Sequence, residues 1–454
     1  MAPTGDPRGT PSGRPGDGAA PPPAGGAPPP APGRPAGGRA AFALAGGVAA
    51  AVALLALLLL PRAQDAERTA RKVLAPALAM PPGRGVTDSE IVFGMASPFS
   101  GANRELGRAM KVGVETAFAA VNAAGGVHGR KLRLVALDDG YEPSRTLGAV
   151  RELVEREKVF AIVGNVGTPT AVVSIPFCQE RKVLFFGAFA GGDVLRRVPP
   201  DRYVFNFRPS YAEETSAAVR WLVRVRRIDP RRIAVLSQDD GFGESGWRGA
   251  ARQLSAYGVD PASVVRARYR RNEEEVAAAL ETVQASAHRV DAVVLVATYR
   301  AASAFIRKTR EAGLVFAYTN VSAVDPSALA EELVAAGGRF ARDVMVTQVV
   351  PLPGSRAPAA LKYREDLARY AAGERPGAVT LEGWIAANLL VEGLRRAGRE
   401  LDTERLVAAL EGMQGLDLGM GTKLGFAPTN HQASHKVWGT ALQPDGAYRQ
   451  IDLE

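Results

Sequence analysis

The sequence predicts an α/β protein made of two doubly wound lobes in succession. Three observations carry this reading. Short apolar runs alternate with helix-periodic segments over most of the chain; the runs are apolar throughout rather than at every second residue; and the series breaks and restarts midway. Candidate strands are Ile91–Ala96, Leu132–Leu137, Phe160–Val163, Val183–Phe186, Ile233–Ser237, Val264–Tyr269, Ala292–Ala297, Phe316–Asn320 and Val344–Val350. Strands without a polar face must be covered on both sides, which is the condition of a parallel sheet sandwiched by helices. The covering helices are read over Leu106–Ala123, Pro143–Arg156, Ala212–Arg226, Gly243–Tyr257, Glu273–Ala287 and Ala301–Ala312, where apolar residues recur at helical spacing.

The break falls at Val198–Pro209, after four strands, and a second β–α series starts at Arg232. Two such units joined by a short crossing segment describe two lobes with a hinge. A later helical block covers Ala359–Tyr370, Leu381–Arg396 and Thr403–Leu410. The chain closes with strand-like Val437–Leu442 and Tyr448–Ile451 around the turn Pro444-Asp445-Gly446.

The first 87 residues have another character. Residues 1–39 are rich in Pro, Gly and Ala, with runs at Pro21-Pro22-Pro23 and Pro28-Pro29-Pro30, and lack the apolar residues that offset chain ordering, so a disordered tail is expected. Ala40–Leu60 is 21 residues without a charge, ending in a leucine-rich stretch. At about 1.5 Å per helical residue this spans a bilayer core. One transmembrane anchor over 40–61 is preferred to a cleaved secretory signal, whose apolar core is normally only about 7–15 residues. A linker, 62–87, follows. Either reading exports the remainder, to the periplasmic or extracytoplasmic face of the inner membrane or, if cleaved, beyond it.

Of 454 residues, 46% are hydrophobic and 23% charged, the balance of a soluble globular protein. The net charge of +9 invites nucleic acid as a partner. Residues 1–87, however, hold nine Lys/Arg against four Asp/Glu, leaving 47 against 43 beyond, and no basic stripe interleaved with aromatics occurs there. Nucleic-acid binding is not expected. Cys178 is the single cysteine, so no intrachain disulfide exists, and its neighbours Ile175, Pro176 and Phe177 predict a buried thiol.

The motifs themselves form an ordered series. Ile91-Val-Phe-Gly-Met-Ala-Ser-Pro-Phe-Ser-Gly101, Val121-Asn-Ala-Ala-Gly-Gly-Val-His-Gly-Arg-Lys131, Asp138-Asp139 with Pro143, and Ile162-Val-Gly-Asn-Val-Gly-Thr168 lead. Tyr203-Val-Phe-Asn-Phe-Arg-Pro-Ser-Tyr211, Asp239-Asp-Gly-Phe-Gly-Glu-Ser-Gly246, Val346-Thr-Gln-Val-Val-Pro351 and Thr380-Leu-Glu-Gly-Trp-Ile-Ala386 follow. In this order, over residues 88–454, the chain resembles the leucine/isoleucine/valine-binding proteins of ABC importers. The resemblance implies the periplasmic binding protein type 1 fold: two Rossmann-like lobes joined by a three-strand hinge. It places the crossings near Phe207, Thr347 and Pro428, lobe 1 at 88–207 plus 348–428, and lobe 2 at 208–347 plus 429–454.

Open α/β sheets bind ligands outside the carboxyl ends of their strands, where helix N-termini present free N–H groups to an anion. Two loops fit that description: Gly164-Asn-Val-Gly-Thr-Pro-Thr170 and Gly187-Ala-Phe-Ala-Gly-Gly192. Together they read as a carboxylate cradle. The resemblance puts Thr168 where a hydroxyl binds an amino-acid carboxylate, and Ala190 where a Thr is usual, leaving only the Ala190 amide to donate. Leu106 and Phe242 fall where leucine-binding members carry Tyr, and Tyr299 matches a Tyr of the other lobe. Ser100 and Phe189 complete the implied ligand set. Near Ser322 those members place an acid for the ligand amine, and Val321-Ser-Ala-Val-Asp325 offers no equivalent. Each residue also has an ordinary alternative: Gly-rich loops serve as caps and tight turns, Leu106 and Phe242 as core, and Asp138-Asp139 and Asp239-Asp240 as turn or cap residues rather than an acid/base pair.

No enzymatic motif competes. His431-Gln-Ala-Ser-His435 has the spacing of two metal ligands but lacks the Glu of a His-Glu-x-x-His site, no nucleophile elbow and no Gly-x-x-x-x-Gly-Lys-Ser/Thr phosphate-binding loop occurs, and a Gly-x-Gly-x-x-Gly dinucleotide loop is missing after the first strand. No catalysis, cofactor or metal is expected. The expected function is a solute receptor that captures a small carboxylate-bearing ligand, a branched-chain amino acid or a related organic acid or amide, and presents it to an ABC transporter permease. A membrane-anchored sensing or protein-interaction domain of the same fold is the alternative.

Overall fold

The computed structural model describes residues 83–454. The expectations for the tail 1–39, the apolar segment 40–61 and most of the linker 62–87 lie outside the described residues. Among the described residues, no helix is long and apolar enough to cross a membrane.

Two sheets organise the described residues. In the first, β1 (Glu90–Ser97), β2 (Lys131–Asp138), β3 (Ala161–Val163), β4 (Leu184–Phe186) and β5 (Val204–Phe205) run parallel in the order β2-β1-β3-β4-β5. The second contains β6 (Ile233–Gln238), β7 (Arg266–Tyr269), β8 (Ala292–Val296), β9 (Ala317–Asn320), β10 (Val344–Gln348), β11 (Trp438–Leu442) and β12 (Tyr448–Ile451). Its order is β12-β11-β10-β9-β8-β6-β7. Its five earlier strands are parallel, and the closing pair β11 and β12 are antiparallel.

Both faces of each sheet are covered, as strands apolar throughout require. Along β1 the side chains alternate between two cores. Ile91, Phe93 and Met95 pack with helix α1 (Arg104–Ala123), while Val92 and Ala96 pack with α2 (Pro143–Glu155) and α3 (Thr168–Glu180). The second sheet divides alike. Ile233, Val235 and Val294 meet α4 (Tyr211–Arg224) and α5 (Gly241–Ser255) on one face. On the other, Leu236, Val293 and Leu295 meet α6 (Ala277–Gln284), α7 (Tyr299–Glu311) and α8 (Pro326–Ala336). The late block, α9 (Pro358–Tyr370), α10 (Ala378–Ala397) and α11 (Thr403–Glu411), returns to the first sheet's core through Tyr363, Leu389 and Leu406.

Three local differences from the sequence reading have physical causes. Helix α3 was not legible by periodicity because its exposed side carries the apolar Val172 and Pro176, so no polar face marks it. The irregular stretch Val198–Pro209 contains the two-residue strand β5. Helix α6 is shorter than Glu273–Ala287: it starts at Ala277, whose N–H donates to Glu275 Oε1 at 2.6 Å, while Glu274 and Glu275 turn to Arg300 and Lys308. Cys178 is buried as expected, and burial pushes its thiol up to about 12.

The chain passes between the sheets three times: after β5, after β10 and before β11. The first and last passages lie side by side. Asn206 N–H donates to the His431 carbonyl at 2.8 Å, Ala433 N–H to the Asn206 carbonyl at 2.8 Å, and Ser434 N–H to the Phe207 carbonyl at 3.0 Å. The last crossing therefore pairs just beyond Pro428.

Helices α1 and α10 approach through glycines. A Cβ added at Gly113 would stand 2.1 Å from the Thr380 carbonyl oxygen, and one at Gly383 would stand 2.6 Å from that of Met110. Gly113→Ala is expected to cost about 1–3 kcal/mol by forcing these helices apart. Gly148→Ala, on α2 with nothing within 4 Å, should instead gain up to about 1 kcal/mol of helix propensity. Equilibrium urea unfolding separates the two signs.

Candidate functional site

The loops after β3, β4, β6 and β9 leave the carboxyl ends of parallel strands and meet where the two sheets face each other. Several bonds join the two sides. Tyr299 hydroxyl donates to the Ala102 carbonyl at 2.6 Å, Asn103 Nδ2 to Asn272 Oδ1 at 2.7 Å, Asn272 Nδ2 to Glu142 Oε1 at 2.6 Å, and Arg248 Nε to Asp193 Oδ2 at 2.8 Å. The loops are thus drawn together.

Thr168 opens α3, where the first N–H groups of the helix lack intrahelical acceptors. Its side chain is buried and its Oγ1 has no hydrogen-bond partner. A Cβ placed on Gly192 would fall 2.5 Å from that Oγ1, so only glycine lets the second loop come so close. Gly241, at the start of α5 on the other side, is also adjacent. Ala190 differs from expectation. Its N–H donates to the Ala188 carbonyl at 2.8 Å, so the amide read as a ligand donor is occupied by its own turn. The expected cradle narrows to the hydroxyl of Thr168.

The remaining sequence-derived residues separate into groups. Phe189 is buried with its ring 4.8 Å from the Arg208 guanidinium carbon. Phe242 is buried against Tyr211, ring centres 4.8 Å apart, and Tyr211 in turn lies 5.5 Å from Arg208. Ser322 meets the same guanidinium with its hydroxyl. Leu106 is buried in the apolar core around α1, and Tyr299 holds the two sides together. Ser100 stands apart on an exposed loop, where its Oγ donates to Asp138 Oδ2 at 2.6 Å. The Asp pairs act as turn and cap residues: Asp139 accepts from the Tyr141 N–H and the Thr146 hydroxyl, and Asp240 caps α5 through the Phe242 N–H. The rings of His431 and His435 have other uses. His431 stacks on Phe205 at 3.8 Å, and His435 Nδ1 lies 2.6 Å from Glu213.

What sequence reasoning did not single out is Arg208, fully buried at the first crossing. Its Nη2 donates to Glu214 Oε1 at 3.1 Å, and its Nη1 is 3.5 Å from Glu382 Oε1. Glu214 comes from α4 and Glu382 from α10, so the cluster is assembled from both sides. Glu214 also accepts from the Ser322 N–H at 2.8 Å, the Ser322 hydroxyl at 3.1 Å and the Thr347 hydroxyl at 2.6 Å. An acid does reach Ser322, but from a helix 108 residues earlier in the chain. Burial works against the Arg208 charge, yet Glu382 and Glu214 outweigh it and raise its pKa above the ordinary value. The sequence signal was a charge inside an otherwise apolar hinge motif, Phe207-Arg208-Pro209.

Burial pushes the Glu382 carboxyl up to about 7, with Arg208 opposing and Glu214 adding to the rise. Its proton is therefore kept in the fold at pH values where the unfolded chain has lost it. Stability falls as pH rises from about 4.5 to 7, because the unfolded state binds fewer protons in that window. Glu382→Gln has no proton to lose. Between pH 5 and pH 8 the wild type should lose stability relative to Glu382→Gln, by on the order of 1–3 kcal/mol. Parallel urea-unfolding trends for the two proteins count against this assignment.

A cavity of about 420 Å³ is lined by Glu105 and Arg108 of α1, Glu374 and Arg375 ahead of α10, Thr380 in its first turn, and Asp325 and Glu331 around α8. Burial pushes Asp325 up to about 6. The mouth of the junction is acid-rich, whereas Arg208 supplies positive charge inside.

The family described as Periplasmic binding protein matches residues 90–447. An amino acid binding protein of Pseudomonas aeruginosa is 26% identical over 259 residues, 57% of this chain and 67% of that protein. A Leu/Ile/Val-binding protein homolog of Brucella abortus is 28% identical over 177 residues, 37% of this chain and 43% of the relative, so that match spans less than half of its length. Among solved structures, a possible leucine/isoleucine/valine-binding protein from Rhodopirellula baltica has a TM-score of 0.76 at 36% identity, covering 83% of this chain and 98% of that one. A branched chain amino acid ABC transporter structure from Thermus thermophilus with bound valine shares the fold, with a TM-score of 0.69 at 18% identity over 81% and 96% of the two chains. With two lobes of parallel sheets, paired crossings and a family match over most of its length, this chain belongs to the periplasmic binding protein family, in its leucine/isoleucine/valine-binding type 1 group.

Proposed function

We propose that this chain is an extracytoplasmic solute-binding protein of an ABC importer. It captures a small carboxylate-bearing ligand, a branched-chain amino acid or a related organic acid or amide, between lobe 1 (88–207 plus 348–428) and lobe 2 (208–347 plus 429–454). The ligand-loaded, closed form is the one a permease recognises, and residues 40–61 tether it to the inner membrane, or are removed if they are a signal. The observation that carries this reading is the unpaired, buried Thr168 hydroxyl at the head of a helix where strand ends of both sheets converge. A hydroxyl and helix-opening amides suit a carboxylate. The amino acid binding relatives support the solute class, and the uncharged run Ala40–Leu60 supports the tether. That tether also keeps the alternative of a membrane-anchored sensing or interaction domain; recovery with permease subunits or with a signalling partner distinguishes the two.

The reading is tested by thermal unfolding of the full chain in mild detergent, followed by the fluorescence of its four tryptophans. The panel is L-leucine, L-valine, aromatic acids and dicarboxylates. At least one anionic or zwitterionic solute should stabilise the chain in a concentration-dependent way, by about 2.7 kcal/mol at a hundredfold excess over its Kd. No response to any of them sinks the reading. Tyr299→Phe removes the bond to the Ala102 carbonyl that closes the lobes, and is expected to weaken binding about two- to tenfold, in keeping with a lost hydrogen bond of about 0.5–1.5 kcal/mol.

A further inference from the structure

We infer that the junction between the lobes takes a carboxylic acid carrying no ammonium group, and that Arg208 anchors its carboxylate. This rests on the reading that the lobes open and close around a small carboxylate, and it narrows the ligand within that class.

The donors and acceptors of the site are unequally provided. Arg208 is fully buried, yet its Nε and Nη1 have no hydrogen-bond partner, and neither has Thr168 Oγ1. Nη1 faces Glu382 at 3.5 Å without a hydrogen bond and Nε faces no acceptor, so the guanidinium's bonding is incomplete; that is costly when buried, and the matching partner is an acceptor-rich, planar anion. An ionised carboxylate offers about four lone-pair sites and no donor. Phe189 and Tyr211, which flank the guanidinium, and Phe242 beside Tyr211 provide an apolar wall for a hydrocarbon tail.

An ammonium needs the reverse: three acceptors and a negative surround. The acid placed at Ser322 has none to spare, since Glu214 already accepts from Arg208, twice from Ser322 and from Thr347. Glu382, the second acid, faces the Arg208 guanidinium at 3.5 Å. A further cation, Arg196, donates to the carbonyls of Ala190, Gly192 and Arg208 itself, so it adds positive charge to the same loops. The place an ammonium would take beside Glu214 is filled by the protein's own guanidinium.

The inference is tested by calorimetric titration of the full chain in mild detergent with matched pairs: L-leucine against 4-methylpentanoate, and L-phenylalanine against 3-phenylpropanoate. The acid without the amine should bind at least tenfold tighter in a pair. Thr168→Val, which removes a hydroxyl that has no partner, should fold as the wild type does and bind the deaminated acid several-fold more weakly. Arg208→Gln should lose at least a hundredfold, and if it fails to fold, the wild-type pairs and Thr168→Val still decide. Equal or tighter binding of the amino acids overturns the inference while leaving the solute-binding reading intact. Its physical source would be an ammonium held in the acid-rich cavity of Glu105, Asp325 and Glu331. Silence from all four compounds, together with silence across the wider panel, overturns both.

Discussion

The burial of one guanidinium constrains the rest of this molecule. Arg208 sits on the first crossing with no exposure to water, and stripping hydration from such an ion costs several kcal/mol unless acids compensate. Two do, and each arrives on a different helix. Glu214 fixes the N-terminal turn of α4 against the second sheet, where Ser322 and Thr347 complete its coordination. Glu382 ties α10, and with it the first sheet, to the same centre. Removing one partner leaves an uncompensated buried charge, so the arrangement of the lobes and the chemistry of the junction are linked through a single side chain.

Its neighbour in sequence does a different job. Glu213 and Glu214 are both in the first turn of α4, where the helix dipole favours negative charge. Glu213 forms a capping box with Ser210 and turns outward to the last crossing, accepting from Gln432 Nε2 at 3.0 Å and pairing with His435 at 2.6 Å. Burial pushes its carboxyl up, but His435, Ser210 and Gln432 outweigh that and hold it at about 2, while Glu213 raises the pKa of His435. One glutamate fastens the hinge strands and the other reaches Arg208, Ser322 and Thr347, from positions one residue apart.

Much of the architecture was legible because burial writes itself into residue type. Apolar runs from Ile91 to Val350 located nearly every strand, the restart at Arg232 separated the two sheets, and the ordered motifs led to the family. The reading weakened where contrast vanished. Helix α3 shows no polar stripe because its exposed side carries Val172 and Pro176, and the closing antiparallel pair β11 and β12 carries too little pattern to reveal its direction. In the site, Thr168 was legible as a hydroxyl opening a helix after a strand. Ala190 was not: the direction of its N–H depends on a turn that residue type does not specify.

By itself, then, the sequence determined the elements, their alternation and the family, because periodicity and turn chemistry act over a few residues and leave local marks. Only the tertiary structure decided which polar groups share the junction. Arg208, Glu214, Ser322, Thr347 and Glu382 are scattered over 174 positions, and their convergence depends on how two sheets are brought face to face by crossings rather than on any spacing along the chain. Electrostatic pairing in a buried site is set by distance in space, which a linear chain does not record.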